Sequence, residues 1–306
     1  MRSRARCGTV PLMTRFITLV AGLLACASLP AQVLKLSPEE LAKFTPKNTF
    51  ERFADGRPKV PDSLIDQVRE LSAEDCWGVL RRHEYVNQFE NGWKVLNEGR
   101  KLAGRAVTAM YMPYRPTLDE VVTAGIRDAG FPNRGHQYVI DMLQPGDVLV
   151  ADGYGTLPGF VGDNLATYIM VATKTGGLVV DGGIRDLEGI HGMDTQIYYR
   201  FADPRAVMNF TLVGINVPVR IGQTTVMPGD IVLGDREGTT FIPPHLAEEM
   251  VKGRIEIMIH DEWTKMKLKT GQYKSHRVYG RPREPELIKE YEEYKAKRLR
   301  ELGLSR

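Results

Sequence analysis

The period of the apolar positions changes between Gly162 and Asp186. Leu165, Tyr168, Ile169 and Ala172 fall at i, i+3, i+4 and i+7, which predicts one apolar face of an α-helix. Asp163 or Asn164 can cap its start, since each carries a short acceptor for first-turn amides. Gly176-Gly177 is expected to end it, and Leu178-Val179-Val180 then reads as a short buried strand. Asp181-Gly182-Gly183 breaks that strand, leaving Arg185-Asp186 at its carboxyl end.

The same reading carries through the rest of the chain. Residues 33–61 lack a period and predict an extended arm over the surface. A helix runs from Pro61-Asp62-Ser63 to Leu71, and Ser72 caps a second one that turns Trp77 and Leu80 to a core. Residues 84–101 predict a polar loop. Ala103–Met112 predicts a strand, and Leu118–Ala129 a helix with Leu118, Val121, Val122 and Ile126 as its apolar positions. Val213–Ile221 and Thr239–Pro243 add strands, and a helix begins at His245. Pro285–Arg306 is a charged helix with acids early and bases late, complementing its dipole, and a thin stripe of Ile288, Tyr291, Leu299 and Leu302.

One pattern occurs twice. Pro145-Gly146-Asp147-Val148-Leu149-Val150 and Pro228-Gly229-Asp230-Ile231-Val232-Leu233 each read as a tight turn followed by an apolar strand. Either a duplication or two similar turn–strand units would produce it. Both imply several short strands with few crossover helices.

Composition adds little constraint. The 306 residues are 42% hydrophobic and 26% charged, as in ordinary globular chains. A formal charge of +3 gives no argument for nucleic acid or a membrane surface. The first residues do change the picture. Arg2, Arg4, Arg6 and Arg15 precede the apolar run Phe16–Ala27 and the small residues up to Ala31. That order predicts a secretory signal over residues 1–31 and a periplasmic or secreted protein, with a lipoprotein at Cys26 as the alternative. The run is short for a stable membrane span. Cleavage after Ala31 would leave Cys76 alone, at helical spacing with Val79 and Leu80, as a buried structural thiol.

The chemistry candidates gather in the opening stretch. The helix start at Gly162, Asp163, Asn164 and Leu165 offers amides and a positive dipole end to a carboxylate or phosphate. Asp186 is a candidate for Mg²⁺, which one carboxylate plus waters commonly holds. Arg185 and Asp186 are either a structural pair at a turn or two groups with separate tasks. Gly153–Gly159 looks like a dinucleotide loop, but Pro158 would obstruct the helix that such a loop opens, so a glycine-rich active-site loop fits better. The six histidines show no metal-ligand spacing, and no serine sits in a nucleophile elbow.

The pattern G-D-N-L-A … G-G-L-V-V-D-G-G-I-R-D, followed by P-G-D-I-V-L-G-D-R-E-G-T-T-F-I-P, resembles the family of the regulator of ribonuclease activity A and the 4-hydroxy-4-methyl-2-oxoglutarate aldolases. The likeness covers roughly residues 72–252. It implies a swivelling β/β/α domain over residues 72–263, with residues 32–71 as arm and first helix and residues 264–306 as an extension. It implies homotrimers or homohexamers and a Mg²⁺- or Mn²⁺-dependent lyase, an aldolase or decarboxylase, releasing pyruvate from a 2-oxo acid. By the motif, Asp186 would hold the metal, Arg185 would contact the substrate carbonyl oxygen, and the Gly162–Leu165 amides would bind its carboxylate. Asp163 matches the acid that orients metal-bound water in the aldolases, although Asn164 lies nearer the usual spacing. Relatives draw a further acid from a neighbouring subunit, for which Glu84, Glu90 and Glu98 are candidates. The competing expectation is a non-catalytic binding or regulatory protein of the ribonuclease-regulator type. A methyltransferase is disfavoured, because no methyl-donor site is legible.

Overall fold

The computed structural model describes residues 34–131 and 135–304. The expected export signal lies outside the described residues. No helix among the described residues is long and apolar enough to cross a membrane. The arm carries α1 (Pro38–Phe44), opened by a reciprocal Ser37–Glu40 capping box, and a bridge between Arg52 and Pro58. α2 (Asp62–Arg69) and α3 (Ala73–Arg82) follow, then the two-residue strands β1 (Phe89–Glu90) and β2 (Lys94–Val95) and the long β3 (Leu102–Pro113). Next come α4 (Pro116–Asp128), α5 (Gly135–Ile140), β4 (Asp147–Asp152), α6 (Asp163–Thr173) and β5 (Gly177–Val180). β6 (Gly183–Ile184), α7 (Leu187–Ile190), β7 (Gln196–Tyr199), β8 (Phe201–Ala202) and β9 (Phe210–Ile215) lead to the hairpin of β10 (Val219–Ile221) and β11 (Thr224–Val226). β12 (Ile231–Gly234), β13 (Thr239–Ile242), α8 (Ala247–Lys269), α9 (Ser275–Val278) and α10 (Pro285–Glu301) complete this mixed α/β fold.

β3 organises the main sheet, whose order is β1-β13-β12-β3-β4-β5-β7-β2. It is long enough to serve two partners on one edge. Residues 102–105 pair antiparallel with β12, and residues 109–113 pair antiparallel with β9 beyond a register shift at Met110/Tyr111. β4, β5 and β7 continue in parallel from its other edge. Alternation along β4 divides the core: Leu149 and Ala151 face α4, α5 and α6, whereas Val148 and Val150 face the β10–β11 hairpin. A third cluster joins α2, α3 and α8 to β12.

The two Pro-Gly-Asp turns flank β3. Each glycine is left-handed, with φ of 81° at Gly146 and 86° at Gly229. Each aspartate accepts an N–H from three residues earlier, at 3.1 Å for Gln144 and 2.8 Å for Met227. They lead into β4 and β12, on opposite edges of β3.

Several expectations need correcting. The arm is not merely draped over the surface: Leu41, Arg57 and Val60 are buried. The polar loop at 84–101 holds the two short strands β1 and β2, which end the sheet. Trp77 is 55% exposed, and the core face of α3 is Ala73, Cys76, Val79 and Leu80. Burial pushes the Cys76 thiol up to about 12, which suits a structural role. α6 ends at Thr173 and Lys174 takes a positive φ of 60°, so Gly176 is not its cap. A methyl at Gly176 would lie 1.7 Å from the Asp147 carbonyl oxygen, so glycine is needed there for close approach of β4. α10 packs on α8 through Leu287, Tyr291 and Tyr294 around Trp263, while Ile288 and Leu302 stay largely exposed.

Candidate functional site

The site forms where two parallel strands end. β5 stops at Val180, and the chain turns through Asp181-Gly182 into β6, which pairs in parallel with β8. The glycine-rich loop after β4 runs alongside. Leu157 bridges Gly182, Phe160 N–H donates to Gly183 O at 2.7 Å, and Arg185 N–H donates to Val161 O at 2.9 Å. These bonds bring Gly162 beneath Arg185 and Asp186. A methyl on Gly162 would sit 2.1 Å from Asp186 Oδ2 and 2.9 Å from Arg185 Cζ. The helix start and the Arg-Asp turn therefore converge, which spacing alone left open.

Arg185 and Asp186 face each other, with Nη1 donating to Oδ2 at 2.7 Å. Neighbouring side chains meet because Asp186 is left-handed, at φ 57° and ψ 41°, an uncommon state for a residue with a Cβ. Such backbone strain is concentrated at functional sites. Asp186 O accepts from Gly189 and Ile190 N–H as α7 begins, which holds the turn. The aliphatic part of Arg185 lies over Gly159, where a methyl would come 3.1 Å from its Cδ. Arg185 and Asp186 are 33% and 36% exposed, so the pair forms an open shelf on a single chain. Cavities of about 450, 550 and 450 Å³ lie elsewhere in the protein, and none is lined by Gly162, Arg185 or Asp186.

At the helix start, Gly162 is the cap residue and no side chain caps it, contrary to expectation for Asp163 or Asn164. Asp163 is already the first helical residue, and among the described residues its Oδ1 accepts only the adjacent Asn164 N–H, at 2.7 Å. The first-turn amides have no partner one turn earlier, as at any helix start. Asp163 faces Gly189 of α7, so it belongs to the shelf; Asn164 is exposed and Leu165 packs against the core.

A divalent metal fits this shelf in one respect. Asp186 presents hard oxygen, Oδ1 has no hydrogen-bond partner among the described residues, and Mg²⁺ is commonly held by one or two carboxylates with water. Among the described residues no group of three or more His, Cys, Asp or Glu could enclose a metal. Asp186 would thus hold it with substrate and water.

A half-buried charge network around the buried Asp181 supports the turn. Arg200 Nε donates to Asp181 Oδ1 at 2.7 Å, its Nη2 to Glu90 Oε1 at 2.6 Å, and its guanidinium stacks 3.7 Å over the Trp93 ring. Glu90 is thereby engaged within its own chain, whereas Glu84 and Glu98 are exposed. Asp203 and Arg205 pair beside Gly159. Their short spacing in sequence was visible, but nothing in it told of the approach to Gly159.

A sequence model of the RraA-like family, described as Aldolase/RraA, matches residues 63–240. A protein of Halalkalibacterium halodurans, provisionally assigned as a 4-hydroxy-4-methyl-2-oxoglutarate aldolase, is 30% identical over 118 residues, covering 39% of this chain and 56% of that one. Protein DlpA of Legionella pneumophila is 26% identical over 182 residues, covering 58% of this chain and 27% of its own. The chain thus spans about half or less of these curated relatives. The crystal structure of Streptomyces coelicolor RraAS2, titled an unusual member of the RNase ES inhibitor RraA protein family, superposes with a TM-score of 0.58 at 26% identity, over 69% of this chain and 98% of that one. The family match runs from α2 to β13 and contains the whole Gly162–Asp186 shelf, so this chain belongs to the RraA-like (Aldolase/RraA) family.

Proposed function

We propose that the protein is a Mg²⁺- or Mn²⁺-dependent lyase that cleaves or decarboxylates a 2-oxo acid to release pyruvate. The observation that carries this reading is the convergence of the α6 start with Arg185 and Asp186 over Gly162. The α6 amides take the substrate carboxylate. Arg185 keeps its Nε and Nη2 donors for the substrate carbonyl oxygen, where negative charge grows as the C3–C4 bond breaks. Asp186 orients Arg185 and holds the metal, which when bound supplies Lewis-acid stabilisation of that charge. A base for the 4-hydroxyl proton comes from a neighbouring subunit of a trimer or hexamer, since the shelf of one chain is open on that side.

The test is turnover of oxaloacetate and of 4-hydroxy-4-methyl-2-oxoglutarate with Mg²⁺, and after chelation. Activity is expected to need the metal and to fall on the order of 10³-fold in Asp186→Ala, matching several kcal/mol of lost stabilisation. Metal-independent turnover, or full activity in that variant, would sink the reading. A purified protein that binds neither metal nor 2-oxo acid would instead favour the regulator. A monomer by light scattering would remove the neighbouring-subunit base.

A further inference from the structure

The duplicated Pro-Gly-Asp turns share local geometry but not partners. Asp147 and Asp230 are both buried, at 0% and 3% exposure. Asp147 receives Arg57, with Nη1 to Oδ1 at 2.9 Å and Nη2 to Oδ2 at 3.4 Å. Among the described residues Asp230 Oδ2 accepts only the Met227 N–H, and its Oδ1 has no hydrogen-bond partner. Where the other turn has an arginine, Asp230 lines a cavity of about 550 Å³ between the Lys43–Asn48 stretch and the Pro243-Pro244-His245 turn. His245 lines the same cavity, and its Nε2 is buried with no hydrogen-bond partner among the described residues. Phe44 and Tyr85 give it apolar walls, and the exposed Lys43 and Lys47 stand at its mouth.

We propose that this cavity binds a zwitterionic α-amino acid with an apolar side chain. Its ammonium pairs with Asp230 as the Arg57 guanidinium pairs with Asp147. A lone buried carboxylate is costly, and a matched cation removes most of that cost. Burial pushes the Asp230 acid up to about 7, as expected of a carboxyl awaiting a cation. Burial, then Lys47 and His83, lower the His245 pKa from its ordinary value, so the ring beside the cavity resists adding a second positive charge next to the ammonium. The carboxylate lies toward Lys43 and Lys47, and the side chain rests against Phe44 and Tyr85. Small-molecule pockets combine apolar walls with a few convergent polar groups in this way. The Lys43–Asn48 wall and His245 lie outside residues 63–240 whereas Asp230 and Tyr85 lie within them, so the site joins the arm to the matched family core, away from the Gly162–Asp186 shelf, and it is independent of the lyase reading.

Calorimetric titration of the full chain with L-phenylalanine, phenethylamine and 3-phenylpropionate tests it. L-Phenylalanine is expected to bind, and 3-phenylpropionate, which lacks the ammonium, to bind about thirtyfold more weakly or worse. Asp230→Asn keeps the acceptor for Met227 N–H and should lose L-phenylalanine by a similar factor. Lys47→Glu, at the exposed mouth, should weaken L-phenylalanine and leave phenethylamine bound as well or better; this arm stands even if Asp230→Asn fails to fold. Equal binding of 3-phenylpropionate and L-phenylalanine would overturn the proposal. So would unchanged binding in the folded Asp230→Asn or the Lys47→Glu protein, or no binding of L-phenylalanine at millimolar concentration.

Discussion

Gly162→Ala should leave the protein folded and cost on the order of 10²-fold in the proposed 2-oxo-acid turnover. The new methyl meets Asp186 Oδ2 at 2.1 Å and Arg185 Cζ at 2.9 Å, so the pair must move off the helix start. Both obstructing atoms belong to ends of side chains that are about a third exposed, and they can swing outward at little cost. The backbone at Gly162 is extended, with φ −111° and ψ −168°, and alanine adopts it freely. Loss of stability should therefore be about 1 kcal/mol or less, the scale of an altered cap. Catalysis depends on geometry far more steeply, and a displacement of about 1 Å can cost 10²-fold. Steady-state assay and urea unfolding on the same preparation check both parts. Undiminished turnover would mean that the shelf over Gly162 is not where the reaction occurs.

Arg57→Met should give the largest loss of stability, about 3–5 kcal/mol at neutral pH. Arg57 is 2% exposed and its guanidinium is held by Asp147 and Asp55 at once. Removing it strands the Asp147 carboxylate in a fully buried position. Burial already pushes the Asp147 acid up, with Arg57 pulling the other way. Without Arg57 its folded pKa rises further above the unfolded value. A carboxyl shifted upward stabilises the fold below the unfolded pKa and loses that contribution as pH climbs to the folded pKa. The deficit should hence be greatest at neutral pH and shrink as pH falls toward about 4. A variant carrying Arg57→Met and Asp147→Leu together should recover most of the loss, because an apolar pair of similar volume replaces two desolvated charges. Urea midpoints across pH distinguish this from a simple packing defect, which would show no pH trend.

The arm that carries Arg57 shows why sequence alone fell short. Between residues 33 and 61 the sequence has no period, so the arm read as surface chain. Its value lies in single long-range contacts, such as Arg57 with Asp147 and Lys43–Asn48 over the Asp230 cavity. The strands β1 and β2 were missed for a related reason. Two residues carry no periodicity, and they are strands only because β13 and β7 present open edges.

The apolar period by itself determined the helix–strand–turn order from Asp163 to Asp186, the helices after Pro61 and Ser72, the β3 strand, and the two Pro-Gly-Asp turns. Each is a local consequence of side-chain spacing or of a residue suited to a cap or turn. The residues of the shelf were likewise legible, because the R-D turn and the G-D-N-L-A helix start lie within one continuous stretch. Tertiary structure decided what those residues face. It turned Asp186 left-handed so that it meets Arg185, set both over a glycine, moved the helix cap to Gly162, and gave Asp147 an arginine while leaving Asp230 a cavity. Those outcomes depend on distances between segments remote in sequence, which no local pattern specifies.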